Sequence, residues 1–224
     1  MSIVNVKSMA SHNRNILIRC VLSLSALCAI IISSGCAGGA NVTVSVRIPD
    51  PLVQTVPLRM GVYYDENLLN YLHEEDLDYY GEYTIDLGST QIPVFDRVFE
   101  AMFEAVVPMD SLSSDGMDID AVLAPTIDQL QFSIPEQTRS EFFEVWIKYK
   151  MDLYEPDGSL IHTWNVMAYG KANQKNYGPM QRKKQPGLTE ASTWALRDAA
   201  ANVSFEFYRQ QEIRDWLEKN RVVH

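Results

Sequence analysis

The chain has 224 residues and a formal net charge of −10, from 19 basic and 29 acidic side chains. A field of this sign does not attract nucleic acid or anionic lipid to the protein as a whole, so we expect no nucleic-acid partner. A chain of this length suits one domain with a sizeable core, or one domain with elaborations.

The N-terminal segment has the organisation of a secretory signal peptide. Residues 1–20 carry three basic side chains and no acidic one, and the uncharged run VLSLSALCAIII follows at residues 21–32. Those twelve residues span about 18 Å as a helix, which is short for a bilayer core of about 30 Å. We therefore interpret residues 1–35 as a signal peptide that is removed.

Two alternatives remain open for this segment. A membrane anchor would have to include the earlier apolar residues Ile16–Ile18, and Arg19 interrupts that longer run. A start at Met9 instead of Met1 would give a signal peptide of more usual length.

The end of the apolar run, SSGC at residues 33–36, resembles a bacterial lipobox because small residues precede the cysteine. It departs from that motif at Ser33, where leucine is usual. The resemblance implies that a diacylglyceryl thioether forms on Cys36, that the chain is cut before it, and that the new amino group is acylated. It also favours the outer membrane, because Ala37 stands where proteins retained in the inner membrane usually have aspartate.

The cysteine count agrees with lipidation. Cys20 and Cys28 leave with the signal peptide, so residues 36–224 keep Cys36 alone and cannot form an internal disulfide. The same cleavage removes three basic residues, which leaves 16 basic against 29 acidic side chains and a net charge of −13.

After a lipidated tether at residues 36–41, the first half of the mature chain predicts strands and an irregular segment. Val42, Val44, Val46 and Ile48 alternate with polar residues, which predicts a strand with one buried face. Residues 57–65 predict a second strand and residues 82–87 a third. The acidic, aromatic segment between them, residues 66–82, predicts a short helix or an irregular excursion.

The clearest helical pattern lies between Pro93 and Pro108. Apolar residues recur there at alternating spacings of one and three, which predicts a broad apolar stripe on one helix. Pro93 suits the first turn and Pro108 ends the helix. We interpret the stripe as core, with a cofactor or partner groove as the alternative. Its members are Val94, Phe95, Val98, Phe99, Met102, Phe103 and Val106.

Strands dominate the next part of the chain. An exposed acidic loop at residues 110–120 precedes a long strand at residues 121–135, which we expect to bend near Pro125. Residues 140–171 then alternate between apolar and polar side chains on both sides of the turn EPDG at residues 155–158. This pattern predicts a β-hairpin.

A polar loop is predicted at residues 170–187, because its glycines and prolines oppose a continuous helix or strand. We expect it to be mobile and to be cut early by proteases after Arg182, Lys183 or Lys184. These three residues are also the candidate contact with an acidic envelope partner, since they form the basic cluster QRKK with Gln181. A merely solvated loop is the alternative.

Two helices complete the chain. An alanine-rich helix begins with Thr189 as its cap, and its predicted buried face consists of Trp194, Ala195, Ala199, Val203 and Phe207. A short helix follows at residues 211–220, with Ile213, Trp216 and Leu217 on its apolar side.

This element order predicts an α+β fold, with a mostly antiparallel sheet of about five strands, two main helices on one face and a short C-terminal helix. Residues 42–224 are expected to form a single periplasmic domain. The segments RMGVYYD, VFDRVFEAMFEAVV, DAVLAPTIDQLQFSI, FFEVWIKYKMDLYEPDGSLI and ALRDAAANVSFEF resemble in arrangement small periplasmic lipoprotein domains across residues 58–210. Examples are the curli-secretion lipoprotein, the lipoprotein activators of penicillin-binding proteins, and the amino-terminal domain of TolB.

The sequence contains no recognisable catalytic motif. His73 begins HEED, which lacks the second histidine of a metalloprotease helix, and His162 is expected to be solvated on the polar side of the hairpin. Two acidic clusters are candidates for glycoside cleavage or calcium binding, although we interpret both as solvated loops. They comprise Glu74, Glu75, Asp76 and Asp78, and then Asp110, Asp115, Asp118 and Asp120.

We therefore predict no enzyme, no metal and no cofactor. The expected protein is a non-catalytic accessory or scaffold of an envelope assembly or transport system. It would be lipid-anchored at the periplasmic face of the outer membrane and would bind an envelope protein. A lipid- or glycan-binding lipoprotein, of the kind that transports lipopolysaccharide, is the alternative, and a hydrolase that uses the acidic clusters is a third possibility.

Overall fold

Eight strands and five helices are present in the part of the chain that the computed structural model describes, which is residues 38–49, 51–113, 116–177 and 184–221. In chain order they are β1 (Ala40–Thr43), β2 (Val56–Tyr63), α1 (Glu66–Leu69), β3 (Leu72–Asp76), β4 (Glu82–Asp86), α2 (Gly88–Met102), β5 (Phe103–Met109), β6 (Ala121–Ser133), α3 (Pro135–Thr138), β7 (Phe142–Tyr154), β8 (Leu160–Asn173), α4 (Lys184–Arg209) and α5 (Gln211–Arg221). Short 3₁₀ helices occupy Asp78–Tyr80 and Gln174–Tyr177.

The smaller sheet has the order β1-β4-β3, with β1 parallel and β3 antiparallel to β4. The predicted alternation of burial from Val42 to Ile48 is present, but only the first part of that segment pairs, as β1. The segment at residues 66–82, for which the sequence predicts a short helix or an irregular excursion, contains α1, β3 and a 3₁₀ helix.

The larger sheet has the order β5-β2-β6-β7-β8. Strand β2 is parallel to both of its neighbours, whereas β6, β7 and β8 are antiparallel to one another. The predicted α+β class is confirmed, but the prediction of one mostly antiparallel sheet is wrong. The parallel pair of β2 and β5 arises because the chain passes through α1, β3, β4 and helix α2 before β5, and such a crossover returns it in the same direction.

Helix α2 begins and ends earlier than the sequence pattern predicts. It starts at Gly88, so Pro93 lies inside it, and it ends at Met102. Phe103 adopts extended backbone angles (φ −120°, ψ 152°) and begins β5 at once. Pro108, expected to end the helix, lies instead in β5, an edge strand, where a missing N–H is tolerated.

Five of the seven residues of the predicted apolar stripe lie on this helix and are core, whereas Phe103 and Val106 belong to β5, and Val106 is only partly buried. Phe95 and Phe99 are fully buried and stack on each other, with ring centroids 5.8 Å apart. The edge of Phe95 also meets the ring of Tyr149 on β7 at 5.1 Å. Phe103 and Phe207 of α4 make a similar edge contact at 5.5 Å, so α2, β5 and α4 share one core.

The predicted hairpin is confirmed by β7 and β8, which pair over their whole length. Gly158 has φ +87° in the connecting turn, which is the left-handed conformation that glycine adopts without strain. The long strand before it is also confirmed as β6. Its irregularity lies between Ile127 and Gln129 rather than at Pro125, which falls just beyond the last pair with β2.

The predicted loop at residues 170–187 is shorter than expected at both ends. Strand β8 continues to Asn173, and helix α4 already begins at Lys184. Residues 178–183 lie outside the described residues, so their mobility and protease sensitivity stay predictions. Thr189 does not cap the helix: it lies within α4, and its hydroxyl donates to the carbonyl of Gln185 at 2.8 Å.

The predicted bounds of this loop are wrong because two glycines near its ends serve helix–sheet packing. A Cβ on Gly170 would lie 2.0 Å from the carbonyl oxygen of Ala191, and a Cβ on Gly187 would lie 2.2 Å from the ring of Phe143. These glycines permit the close approach of α4 to β7 and β8, and they do not mark a turn.

Candidate functional site

An extended segment lies along α4 and forms one wall of the candidate site. This strap consists of residues 44–49 and 51–55. The guanidinium of Arg197 donates to the carbonyl of Arg47 at 3.2 Å, and the hydroxyl of Tyr208 donates to the carbonyl of Gln54 at 2.8 Å. The two hydrogen bonds hold the strap against about three turns of α4. The strap and the helix run in the same direction.

Between the strap and α4 lies an open groove of about 590 Å³. Its walls are mainly apolar, and among the described residues that line it Arg197 is the one cation. The lining residues are Ile48, Pro49, Pro51, Leu52, Val53, Trp194, Arg197, Ala200, Ala201 and Ser204. A second depression of about 460 Å³ shares Trp194 and Arg197 and continues toward Gln185 at the start of the helix.

The exposed face of α4 beside this groove is unusually apolar. Trp194 and Phe205 are 46% and 59% exposed, and Leu52 on the strap is fully exposed. Trp194, Arg197, Ala201 and Phe205 are spaced by three, four and four residues, which places them on one stripe of the helix. We call these four residues together with Leu52 the α4 ridge.

Arginine side chains accompany both aromatic residues of the ridge. The guanidinium carbon of Arg197 lies 4.9 Å from the centroid of Trp194, and that of Arg209 lies 5.1 Å from the centroid of Phe205. Such cation–π contacts hold the charge at the level of the ring. Arg209 also pairs with Glu206 at 3.1 Å, whereas Arg197 forms no salt bridge within the described chain.

Contacts with strand β8 fix the position of α4. The backbone N–H of Tyr169 donates to the carboxylate of Asp198 at 2.9 Å, and the amide of Asn202 donates to the carbonyl of Met167 at 2.9 Å. Asp198 and Asn202 are themselves bonded at 3.1 Å. The helix thus satisfies backbone groups on the edge of the sheet, which protects that edge from pairing with another chain.

Sequence reasoning missed the ridge because it assigned Trp194 to the buried face of α4. The other four members of that face, Ala195, Ala199, Val203 and Phe207, are buried as predicted. An exposed Phe205, two residues before the buried Phe207, is the sequence signal for a second apolar stripe, since positions two apart do not share a helix face.

The predicted lipid attachment and partner residues lie mostly outside the described residues. Cys36, Arg182 and Lys183 belong to that undescribed part. Lys184 is described, and its ammonium donates to the carbonyl of Tyr80 at 2.8 Å and lies 5.3 Å from the ring centroid of Tyr83. Lys184 is therefore engaged within the protein, and its contact with a partner stays a prediction.

The first acidic cluster is exposed, as predicted, but it does not form a loop: its residues lie on the edge strand β3 and on the 3₁₀ helix that follows. Two members of the second cluster instead hold their loop to β2. Asp120 accepts from the backbone N–H of Arg59 at 2.7 Å, and the side chain of Asp118 pairs with the Arg59 guanidinium at 3.3 Å. Asp115 lies outside the described residues.

The two internal histidines make local contacts. The ring of His162 stacks on Trp164 with centroids 6.1 Å apart, and its Nε2 lies 3.4 Å from Gln210 and 3.6 Å from Glu212. His162 is only 19% exposed, so the prediction that it is simply solvated is wrong. His73 packs its ring against the edge of Phe132.

Within residues 38–49, 51–113, 116–177 and 184–221, no three side chains of His, Cys, Asp or Glu form a group suited to a metal ion. No helix in those same ranges has the length and the apolar composition that crossing a bilayer requires.

Comparisons with known proteins give distant likenesses only. No family model and no curated protein matches the sequence. Among solved structures, a DUF330 protein from Xanthomonas campestris has a TM-score of 0.47 at 11% identity and covers 79% of this chain and 99% of its own.

A putative neuraminyllactose-binding hemagglutinin homologue from Helicobacter pylori has a TM-score of 0.42 at 15% identity, over 81% of this chain and 100% of its own. A minor lipoprotein from Acinetobacter baumannii has a TM-score of 0.37 at 10% identity, over 72% and 96%. Likenesses at these scores carry no functional argument.

Proposed function

We propose that this protein is a lipid-anchored, non-catalytic accessory of the bacterial envelope, held at the periplasmic face of the outer membrane by acyl chains on Cys36. The anchor is supported by the SSGC sequence after a short uncharged segment. The α4 ridge and its groove carry the proposal that the domain acts by binding, because exposed apolar residues that line a groove are typical of a binding surface.

Cys36→Ser tests the anchor. The wild-type chain should incorporate a fatty-acid analogue, fractionate with membranes and lose residues 1–35, whereas the variant should stay unprocessed and unlabelled. Cys28→Ser is the matched control and should behave as the wild type, since Cys28 leaves with the signal peptide. Equal labelling of the wild-type and Cys36→Ser chains would refute the assignment.

The accessory role needs an envelope protein partner. Crosslinking in intact cells followed by solubilisation and pull-down should enrich at least one envelope protein with the wild-type chain. An unrelated lipoprotein with the same anchor serves as the control, because it shares the membrane location but not the domain. Equal enrichment with both lipoproteins would remove the basis for an accessory role.

A second candidate function is the carriage of a lipid ligand, and the strap groove is the observation that favours it. Its apolar walls suit an acyl chain, and Arg197 suits an anionic head group. A carried ligand should remain bound at one molecule per chain in native mass spectrometry. Purification without a retained ligand would count against this function.

A further inference from the structure

We propose that the α4 ridge lies on the surface of the lipid leaflet that holds the anchor, and so orients the domain on the membrane. Trp194, Phe205 and Leu52 would enter the boundary between head groups and acyl chains. Arg197 and Arg209 would contact lipid phosphates. This inference rests on the proposed lipidation of Cys36 and names the partner of the same surface.

The first argument is the composition of the ridge. Tryptophan at a membrane interface places an apolar ring among the acyl chains and its polar edge among the head groups. A helix that lies in the interface carries Trp, Phe or Leu toward the acyl chains, with basic residues beside them. Helix α4 has this arrangement on one stripe, with Trp194 and Phe205 exposed and Arg197 between them.

The second argument is the short distance between the positive charges and the apolar surface of the ridge. Because each guanidinium lies over an aromatic ring, at 4.9 Å for Arg197 and 5.1 Å for Arg209, the cations stay close to the apolar surface. In a leaflet of glycerophospholipids the phosphates lie just outside the acyl chains. An aromatic ring with a guanidinium group next to it therefore matches the acyl layer and the phosphate layer. The net charge of −13 after cleavage, from 16 basic and 29 acidic side chains, opposes attraction by the protein as a whole, so the contact depends on the ridge and not on anionic lipid.

The third argument is the length of the tether. Four residue steps separate Cys36 from Ala40, where the first strand begins, and they span about 14 Å when fully extended. An anchored domain is therefore confined close to the leaflet, and the ridge is offered lipid at a high effective concentration. A partner protein has to compete with that lipid for the same ridge.

Spin labels on the full-length, processed protein test the contact. Cys36 is the single cysteine of the mature chain and its sulfur is blocked by the lipid, so Leu52→Cys and Phe205→Cys each introduce one thiol that can be labelled. Met167→Cys is the matched control. Met167 is also exposed, but it alternates on β8 with the buried residues Val166 and Ala168, so it lies on the sheet face opposite to α4.

The labelled proteins are placed in phosphatidylethanolamine vesicles, with and without phosphatidylglycerol, and collisions with oxygen and with a nickel chelate are measured. At positions 52 and 205 we expect oxygen collisions to exceed chelate collisions in both kinds of vesicle. At position 167 the chelate should dominate, as in water. Chelate dominance at all three positions would overturn the proposal.

Other outcomes point to other occupants. If positions 52 and 205 become shielded only in native membranes and not in lipid vesicles, a protein covers the ridge and the proposal fails. If they are equally shielded in the purified protein before vesicles are added, a carried ligand fills the groove and the proposal also fails. Failure of the anchor is distinct, because the protein would then not join the vesicles and unsubstituted chains would react at Cys36.

Discussion

Replacement of Gly170 by alanine should destabilise the protein by separating α4 from β8. The added Cβ would lie 2.0 Å from the carbonyl oxygen of Ala191 and 2.3 Å from the nitrogen of Ala195, and both atoms belong to the helix backbone. An ordinary contact begins at 3.4 Å, so the strand and helix would have to part by about 1.4 Å. A backbone cannot turn aside as a flexible side chain can.

The expected cost is near the upper end of the range for overpacking, about 3 kcal/mol. Alanine in place of glycine would by itself favour a strand by about 0.5–1 kcal/mol, so any net loss of stability must come from the contact with the helix. For a domain of this size a loss of about 3 kcal/mol lowers the melting temperature by about 6–12 °C.

Urea titration followed by circular dichroism measures this change as a lower midpoint at an unchanged slope. Asn165→Ala, at an exposed position of the same strand, is the control and should alter stability by less than about 0.5 kcal/mol. A Gly170→Ala protein as stable as the wild type would refute the conclusion that this glycine admits the helix.

Two further predictions concern Tyr149, which is buried, and Tyr64, which is partly buried. Tyr149→Phe leaves the side-chain oxygen of Gln91 without its 3.0 Å donor and should cost about 1–3 kcal/mol, while the double variant with Gln91→Leu should cost less than the sum of the single changes; strict additivity in urea titrations would contradict this coupling. Burial raises the pKa of Tyr149, and burial followed by a hydrogen bond to Asp96 raises that of Tyr64, so the folded state keeps phenol protons that the unfolded chain releases above about pH 10. The contribution of these two tyrosines to the free energy of unfolding should therefore be fully present below that pH and fall as the pH rises above it. The fall should be less steep in Tyr64→Phe. A free energy of unfolding that stays constant up to about pH 11 would contradict the raised pKa values.

Local pattern in the sequence was enough to predict the hairpin and the core stripe of α2. Both depend on the period of the chain itself: alternate residues of β7 are buried, and the apolar residues Val94, Phe95, Val98 and Phe99 recur at helical spacing. The signal-like segment and Cys36 are also local features, which is why a cellular location can be predicted from them. That location stays a prediction, as does the resemblance to the small periplasmic lipoprotein domains.

Contacts between distant residues decided the rest. The direction of β5 relative to β2 is absent from any local pattern, since parallel and antiparallel strands bury the same alternate residues. In the sequence Gly170 and Gly187 are interpreted as residues that interrupt helices and strands. Their actual role, close packing, depends on the positions of Ala191 and Phe143 in the tertiary structure. Trp194 is adjacent to Ala195, which belongs to the buried stripe, so the spacing of apolar residues alone does not separate the two. The strap and β8 determine which side of α4 is covered. A sequence period states that a helix has an apolar side, whereas the packing of the whole chain selects the side that remains exposed.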